Sequence, residues 1–164
     1  MSNKPSQVFI ALGSNLENPI SQIQHAFEEL KQLPRTRLIN RSSLFQSVPV
    51  GRLDQPDFIN AVACIETHLT PHDLLKALLA IEHRHGRMRE SLNAPRTLDL
   101  DILMYDALEC QDEMLTIPHP RMSHRAFVLK PLMEIAPNCH IPGHGHIAQL
   151  LLSCNEQKLE QIKA

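Results

Sequence analysis

Phe58-Ile59-Asn60-Ala61-Val62-Ala63-Cys64-Ile65-Glu66-Thr67 is the stretch on which the fold turns. Ile59, Ala61, Ala63 and Ile65 alternate with Phe58, Asn60, Val62 and Cys64, a period of two that predicts a strand with two unlike faces. One face is wholly apolar. The other carries an aromatic ring and an amide.

Downstream, Thr70-Pro71-His72-Asp73 opens a helix, with Asp73 set near the exposed amides of the first turn. Leu74, Leu75, Leu78 and Leu79 give that helix an apolar stripe, and Gly86 can end it. Upstream, residues 8–12 read as a buried strand stopping at Gly13-Ser14-Asn15. Asn18-Pro19 then places a capping side chain before a proline at the first helical position. Ile20, Ile23, Phe27 and Leu30 follow at helical spacing until Pro34.

Residues 37–46 supply a further strand and residues 98–105 another. A short strand is expected near Leu115, and a helix within residues 122–134 that Pro131 would kink or end early. From Gln149 onward the pattern suggests a terminal helix. The order β-α-β-β-α-β is that of an α+β, ferredoxin-like sandwich, an antiparallel sheet with helices packed on it.

A chain of 164 residues suits one domain, 1–164, with residues 1–7 and 155–164 expected to be poorly ordered. The net charge of −2 leaves no global basic surface and argues against a nucleic-acid partner. Cys64, Cys110, Cys139 and Cys154 form no CxxC pair, as befits reduced thiols in a cytoplasm. No secretory leader is expected, and no run approaches the roughly 20 apolar residues that cross a bilayer.

Asp99-Leu100-Asp101 falls inside the strand at 98–105, so both carboxylates project to one face about 6.5–7 Å apart at the backbone. Leu98, Leu100 and Ile102 point into the core. Two acids side by side repel each other, and a divalent cation would relieve that repulsion. Mg²⁺ favours one or two carboxylates together with phosphate oxygens and water. Arg96 stands three residues before Asp99, behind Pro95, placed for a phosphate bound by the same metal.

Arg84, Arg87 and Arg89 surround Gly86. Arg87, Arg89 and Arg96 bracket a loop beside the acidic strand, and guanidinium forks suit the oxygens of a triphosphate. Glu82 lies in register with the leucine stripe, so its carboxylate requires a partner, either a nearby arginine or a bound nucleotide. Neither GxxxxGK[ST] nor GxGxxG occurs, so ATP would be held by arginines and metal rather than by a glycine-rich cradle.

Gly13-Ser14-Asn15, Asp57-Phe58-Ile59-Asn60, Glu82 with Gly86-Arg87-Met88-Arg89, the PRTLDLDI run and Pro118-His119 through Arg125-Ala126-Phe127 occur in an order that resembles the 6-hydroxymethyl-7,8-dihydropterin pyrophosphokinases of folate biosynthesis. The resemblance spans about residues 8–142. It implies a monomer that moves a pyrophosphoryl group from ATP to a reduced pterin with two Mg²⁺ ions, releasing AMP. By the same resemblance Asp99 and Asp101 are metal ligands. Arg87, Arg89, Arg96, His119 and Arg125 hold phosphates and nucleotide, with Glu82, Ile102 and Thr116 nearby; Arg87 and Arg96 also act in catalysis. Phe58 and Phe127 sandwich the pterin, Asn60 is its amide partner, and the loop with Ser47, Pro49 and Val50 adds backbone hydrogen bonds.

The stretch 90–94 departs from the family pattern, with Leu92 and Asn93 in place of a basic residue and a Trp. Ala94 stands where glycine is frequent, and Pro120 where an aromatic is common. Three rival readings are a zinc site at Cys139-His140 with His144 and His146, a non-catalytic sensor of nucleotide or folate intermediates, and an RNA-binding sheet.

Overall fold

The computed structural model describes residues 4–16, 18–47, 57–86, 97–154 and 156–162. The expected central strand is β4 (Phe58–Thr67), which pairs antiparallel with β1 (Ser6–Ser14) in unbroken register from Ser6↔Thr67 to Ser14↔Ile59. On the far side of β1 lies β5 (Asp99–Tyr105), also antiparallel. The other flank of β4 takes two strands, β2 (Thr36–Arg41) and β3 (Leu44–Ser47). The continuous strand expected over 37–46 is therefore interrupted at Ser42 and Ser43. There the Ser42 hydroxyl accepts the Val62 amide, holding the break against β4.

The two faces of β4 separate two cores. Ile59, Ala61, Ala63 and Ile65 join Val8, Ile10 and Leu12 of β1 beneath α1 (Pro19–Lys31) and α2 (Pro71–Arg84). Val62 and Cys64 join Phe9 on the opposite face, beneath α3 (Ala126–Ile135). Alternating small and branched side chains on β4 suit burial on both sides.

Helix α2 starts as its sequence dictates, with the Thr70 hydroxyl accepting the Asp73 amide at 3.1 Å. Helix α1 does not. Asn18 sits in the left-handed region (φ 61°) and makes no side-chain cap; Pro19 and the Asn18 carbonyl, which accepts the Gln22 amide at 3.0 Å, set the first turn. In α3, Pro131 lies inside the helix, buried, without ending it.

The largest departure from expectation is at the C-terminus. The short helix α4 (Ile147–Leu152) is followed by a strand, labelled β10 (Leu159–Ile162), antiparallel to β3 at the sheet edge. The terminal helix expected from Gln149 is confined to Ile147–Leu152, and the described residues after it include a strand rather than more helix. Docking on the open edge of β3 supplies the backbone partners that local propensity did not announce. The labels β6 (Cys110–Gln111), β7 (Thr116–Ile117), β8 (His140–Ile141) and β9 (Gly145–His146) belong to two small hairpins. The sheet runs β10-β3-β4-β1-β5, with β2 also paired to β4. No helix of the described residues is long and apolar enough to cross a membrane.

Candidate active site

One rung of the sheet organises the site. Gly13 of β1 pairs with Asn60 on one side and Asp99 on the other; two positions along, Ala11 pairs with Val62 and Asp101. Paired residues in antiparallel strands share a face, so Asn60, Asp99 and Asp101 all project on the side of α3. Between them the floor is Gly13 and Ala11. A Cβ at Gly13 would stand 3.4 Å from Asn60 Oδ1, so glycine keeps this floor low where the amide leans over it. Two strand spacings put Asn60 and Asp99 about 10 Å apart at the backbone.

The acids are oriented as period-two geometry requires. Asp99 and Asp101 are partly exposed, whereas Leu98, Leu100 and Ile102 are buried in the first core. Ile102 thus turns its side chain away from the acids, leaving only its backbone for a ligand on that face. After Ile102 the register slips, since Ile10 faces Ile102 but Phe9 faces Met104. Leu103 is the extra residue of this bulge, and its carbonyl accepts the His119 amide at 2.9 Å. The irregularity brings the loop after β7 back to the acidic strand.

In that loop the His119 Nε2 lies 4.0 Å from Asp101 Oδ2. Burial, then the charges of Arg125 and Arg121, push its imidazole down from 6.5 to about 4 against an opposing pull from Asp99. The ring is neutral near pH 7. Its Nδ1 accepts the Arg121 amide at 3.2 Å, which places the ring proton on Nε2, facing Asp101. Sequence alone does not single out Arg121, because an exposed arginine beside Pro120 carries no local signature.

Arg125 precedes α3, and its guanidinium lies 5.3 Å from the centroid of the Phe127 ring. That cation–π contact joins the aromatic side of the site to the charged side. Gln157 anchors the start of the helix. Its Oε1 accepts the Ala126 amide at 2.8 Å and its Nε2 donates to the His124 carbonyl at 2.7 Å. No sequence pattern forecasts a cap supplied from 31 residues downstream.

At the other end, Phe58 is half-buried at the start of β4, opposite Ser47. Asn60 is 5% exposed, and its Nδ2 donates to Ser47 Oγ at 2.7 Å. The hydroxyl therefore fixes the plane of the amide. Thr116 lies on β7, beside β5, partly exposed. Ser14, wholly buried, donates its hydroxyl to the Thr97 carbonyl and ties the end of β1 to the entry of β5.

Glu82 is 2% exposed on α2, and its Oε2 accepts the backbone amide of Leu100 at 2.7 Å. Arg87, Arg89, Arg96, Pro49 and Val50 lie outside the described residues, as do positions 90–94. Arg84, from the same basic segment, instead bonds Glu29 of α1. Cys139, His140, His144 and His146 belong to the β8–β9 hairpin region, and among the described residues no group of three or more His, Cys, Asp or Glu side chains could by itself hold a metal. Two carboxylates meet the requirement of Mg²⁺, which takes its other ligands from phosphate and water.

The sequence profile of the 7,8-dihydro-6-hydroxymethylpterin-pyrophosphokinase (HPPK) family matches residues 9–137. A 2-amino-4-hydroxy-6-hydroxymethyldihydropteridine pyrophosphokinase of Pseudomonas aeruginosa is 46% identical over 156 residues, covering 95% of this chain and 96% of its own length. Its counterpart from Haemophilus influenzae is 46% identical over 154 residues, covering 94% and 96%. Among solved structures, wild-type Plasmodium falciparum HPPK-DHPS with pterin and p-hydroxybenzoate superposes with a TM-score of 0.70 at 17% identity, covering 92% of this chain and 43% of that one. At that identity the likeness speaks to the fold alone.

Proposed function

This chain belongs to the 7,8-dihydro-6-hydroxymethylpterin-pyrophosphokinase family, and on that premise we propose how its residues divide the work. It transfers the pyrophosphoryl group of ATP to the hydroxymethyl group of 6-hydroxymethyl-7,8-dihydropterin in folate biosynthesis. The observation that carries the division is the rung Asn60–Gly13–Asp99, which sets an amide and a carboxylate pair on one face across a floor of small residues.

The pterin lies at the Asn60 end. Phe58 and Phe127 supply aromatic faces, and Asn60 reads the ring edge in the plane that Ser47 sets. Backbone groups at Ser47, Pro49 and Val50 complete its hydrogen bonds. Asp99 and Asp101 are the residues that would hold Mg²⁺, with two ions expected when ATP is bound. Bound there, Mg²⁺ would supply Lewis-acid neutralisation of the phosphate charge.

The chain's own groups then position the reaction. Arg87, Arg89, Arg96 and Arg125 fix the phosphates, while neutral His119 offers its Nε2 proton beside Asp101 without adding a competing cation. Thr116 and the backbone at Ile102 face the nucleoside. The pterin hydroxymethyl oxygen attacks the β-phosphorus in line, the bond from that phosphorus to the α,β-bridging oxygen breaks, AMP leaves with the electron pair, and the hydroxyl proton passes to solvent. Proximity across the short floor supplies much of the rate. The protein acts as a cytoplasmic monomer.

Incubating the protein with ATP, Mg²⁺ and the reduced pterin tests this reading. AMP and the diphosphorylated pterin appear in equal amounts. Formation of ADP, or ligand binding without AMP, would refute it.

A further inference from the structure

Among the described residues, the acidic strand sits at the edge of the sheet, with no strand paired to one side of its backbone. Leu100, between Asp99 and Asp101, pairs with Leu12 of β1 and sends its amide to Glu82 at 2.7 Å. The carboxylate that receives it is 2% exposed and comes from α2, the helix packed beneath β5. Burying a carboxylate is costly unless the group is hydrogen-bonded, and the Leu100 amide supplies such a bond.

We propose that Glu82 is a positioning residue, whose buried carboxylate clamps the Leu100 amide and so fixes the separation and direction of Asp99 and Asp101. The inference rests on the reading of those two aspartates as metal ligands. The physical need is plain. Adjacent acids on a strand repel, and at a sheet edge that repulsion can be relieved by twisting the backbone. A hydrogen bond to a carboxylate is stronger than one to a neutral acceptor, and this one lands on the Asp99–Leu100 peptide, between the two ligands. A strand so held presents both carboxylates in one geometry before metal arrives, which spares the ordering cost on binding.

This role differs from a direct nucleotide contact in its consequences. Glu82→Ala removes the acceptor and leaves the Leu100 amide unpaired. Glu82→Gln keeps an oxygen that can accept it. With the α,β-methylene analogue of ATP at saturation, Mn²⁺ affinity read by electron paramagnetic resonance is expected to fall about 10–100-fold in Glu82→Ala, the range for groups that orient metal ligands. Glu82→Gln is expected to recover most of it. Hydrogen exchange at the Leu100 amide, measured without metal or nucleotide, speeds up in the alanine variant and stays slow in the glutamine variant. Pterin affinity is unchanged in both.

Unchanged Mn²⁺ affinity in Glu82→Ala, with loss confined to the nucleotide, overturns the proposal. So does a glutamine variant that protects Leu100 yet binds Mn²⁺ as poorly as the alanine variant. Should Glu82→Ala fail to fold, Glu82→Gln decides alone: retained Mn²⁺ affinity with a protected Leu100 amide supports the clamp, and loss of either overturns it. Failure of wild-type protein to form AMP would strike the proposed function instead, leaving the exchange and Mn²⁺ readouts interpretable.

Discussion

Asn60 and Asp99 stand on one rung of the sheet, each paired with Gly13 from opposite sides, so the amide proposed to read the pterin ring and the carboxylate proposed to bind a cation share one face about 10 Å apart. The separation suits a substrate whose ring and reacting hydroxyl lie a few bonds apart. Glycine between them keeps the path clear, since a Cβ there would meet Asn60 Oδ1 at 3.4 Å.

Gly13→Ala follows from that geometry. The contact is an ordinary van der Waals distance, so the fold accepts it and stability changes by less than about 1 kcal/mol. The methyl group nevertheless occupies the floor. KM for the pterin is expected to rise roughly tenfold, about 1.4 kcal/mol, with KM for ATP little changed. Steady-state kinetics with each substrate varied separately checks the split.

Ser47→Ala leaves the buried Asn60 amide without its acceptor, at a cost of about 1–3 kcal/mol shared between stability and pterin affinity. Ser47→Thr retains the hydroxyl and is expected to restore both. Fluorescence titration with the pterin and thermal unfolding measure the two parts; equal behaviour of the alanine and threonine variants would dismiss the orienting role.

The histidine makes a prediction about pH. His119 has a folded pKa near 4 against 6.5 for the free group, so between those values the unfolded chain binds a proton that the native chain does not. Stability from this source is complete above pH 6.5 and is lost as pH falls toward 4, by at most about 3 kcal/mol. His119→Gln is expected to flatten that part of the stability profile, measured by denaturant unfolding with metal chelated.

How far the fold could be read from sequence depends on where each signal is stored. The alternation in β4, the Thr70 cap and the placement of Asp99 and Asp101 opposite Leu100 are local, and the structure reproduces them. The break at Ser42–Ser43, the bulge at Leu103 and the pairing of β10 with β3 depend on partners far along the chain. No window of neighbouring residues contains them. The same holds at the site. The shared face of Asp99 and Asp101 follows from their spacing and Asn60 is marked by the family resemblance, whereas the contact of Arg121 with His119 and the cap that Gln157 places on α3 exist only once the loops close.

The C-terminal strand gives a further test. Deleting residues 158–164 removes β10 and exposes the edge of β3, which carries Ser47. Loss of four paired residues and of Ile162 from the first core is expected to cost about 2–3 kcal/mol and lower Tm by roughly 5–10 °C. Pterin affinity should weaken with it. A truncated protein with unchanged Tm and pterin affinity would show that the pairing contributes little.

The most direct test counts metal ions on the two acids. With the α,β-methylene analogue of ATP and the reduced pterin bound, Mn²⁺ titration followed by electron paramagnetic resonance is predicted to give two ions per wild-type chain. Asp99→Asn with Asp101→Asn is predicted to retain the fold and lose both ions. Full occupancy in that double variant would contradict the assignment of Asp99 and Asp101.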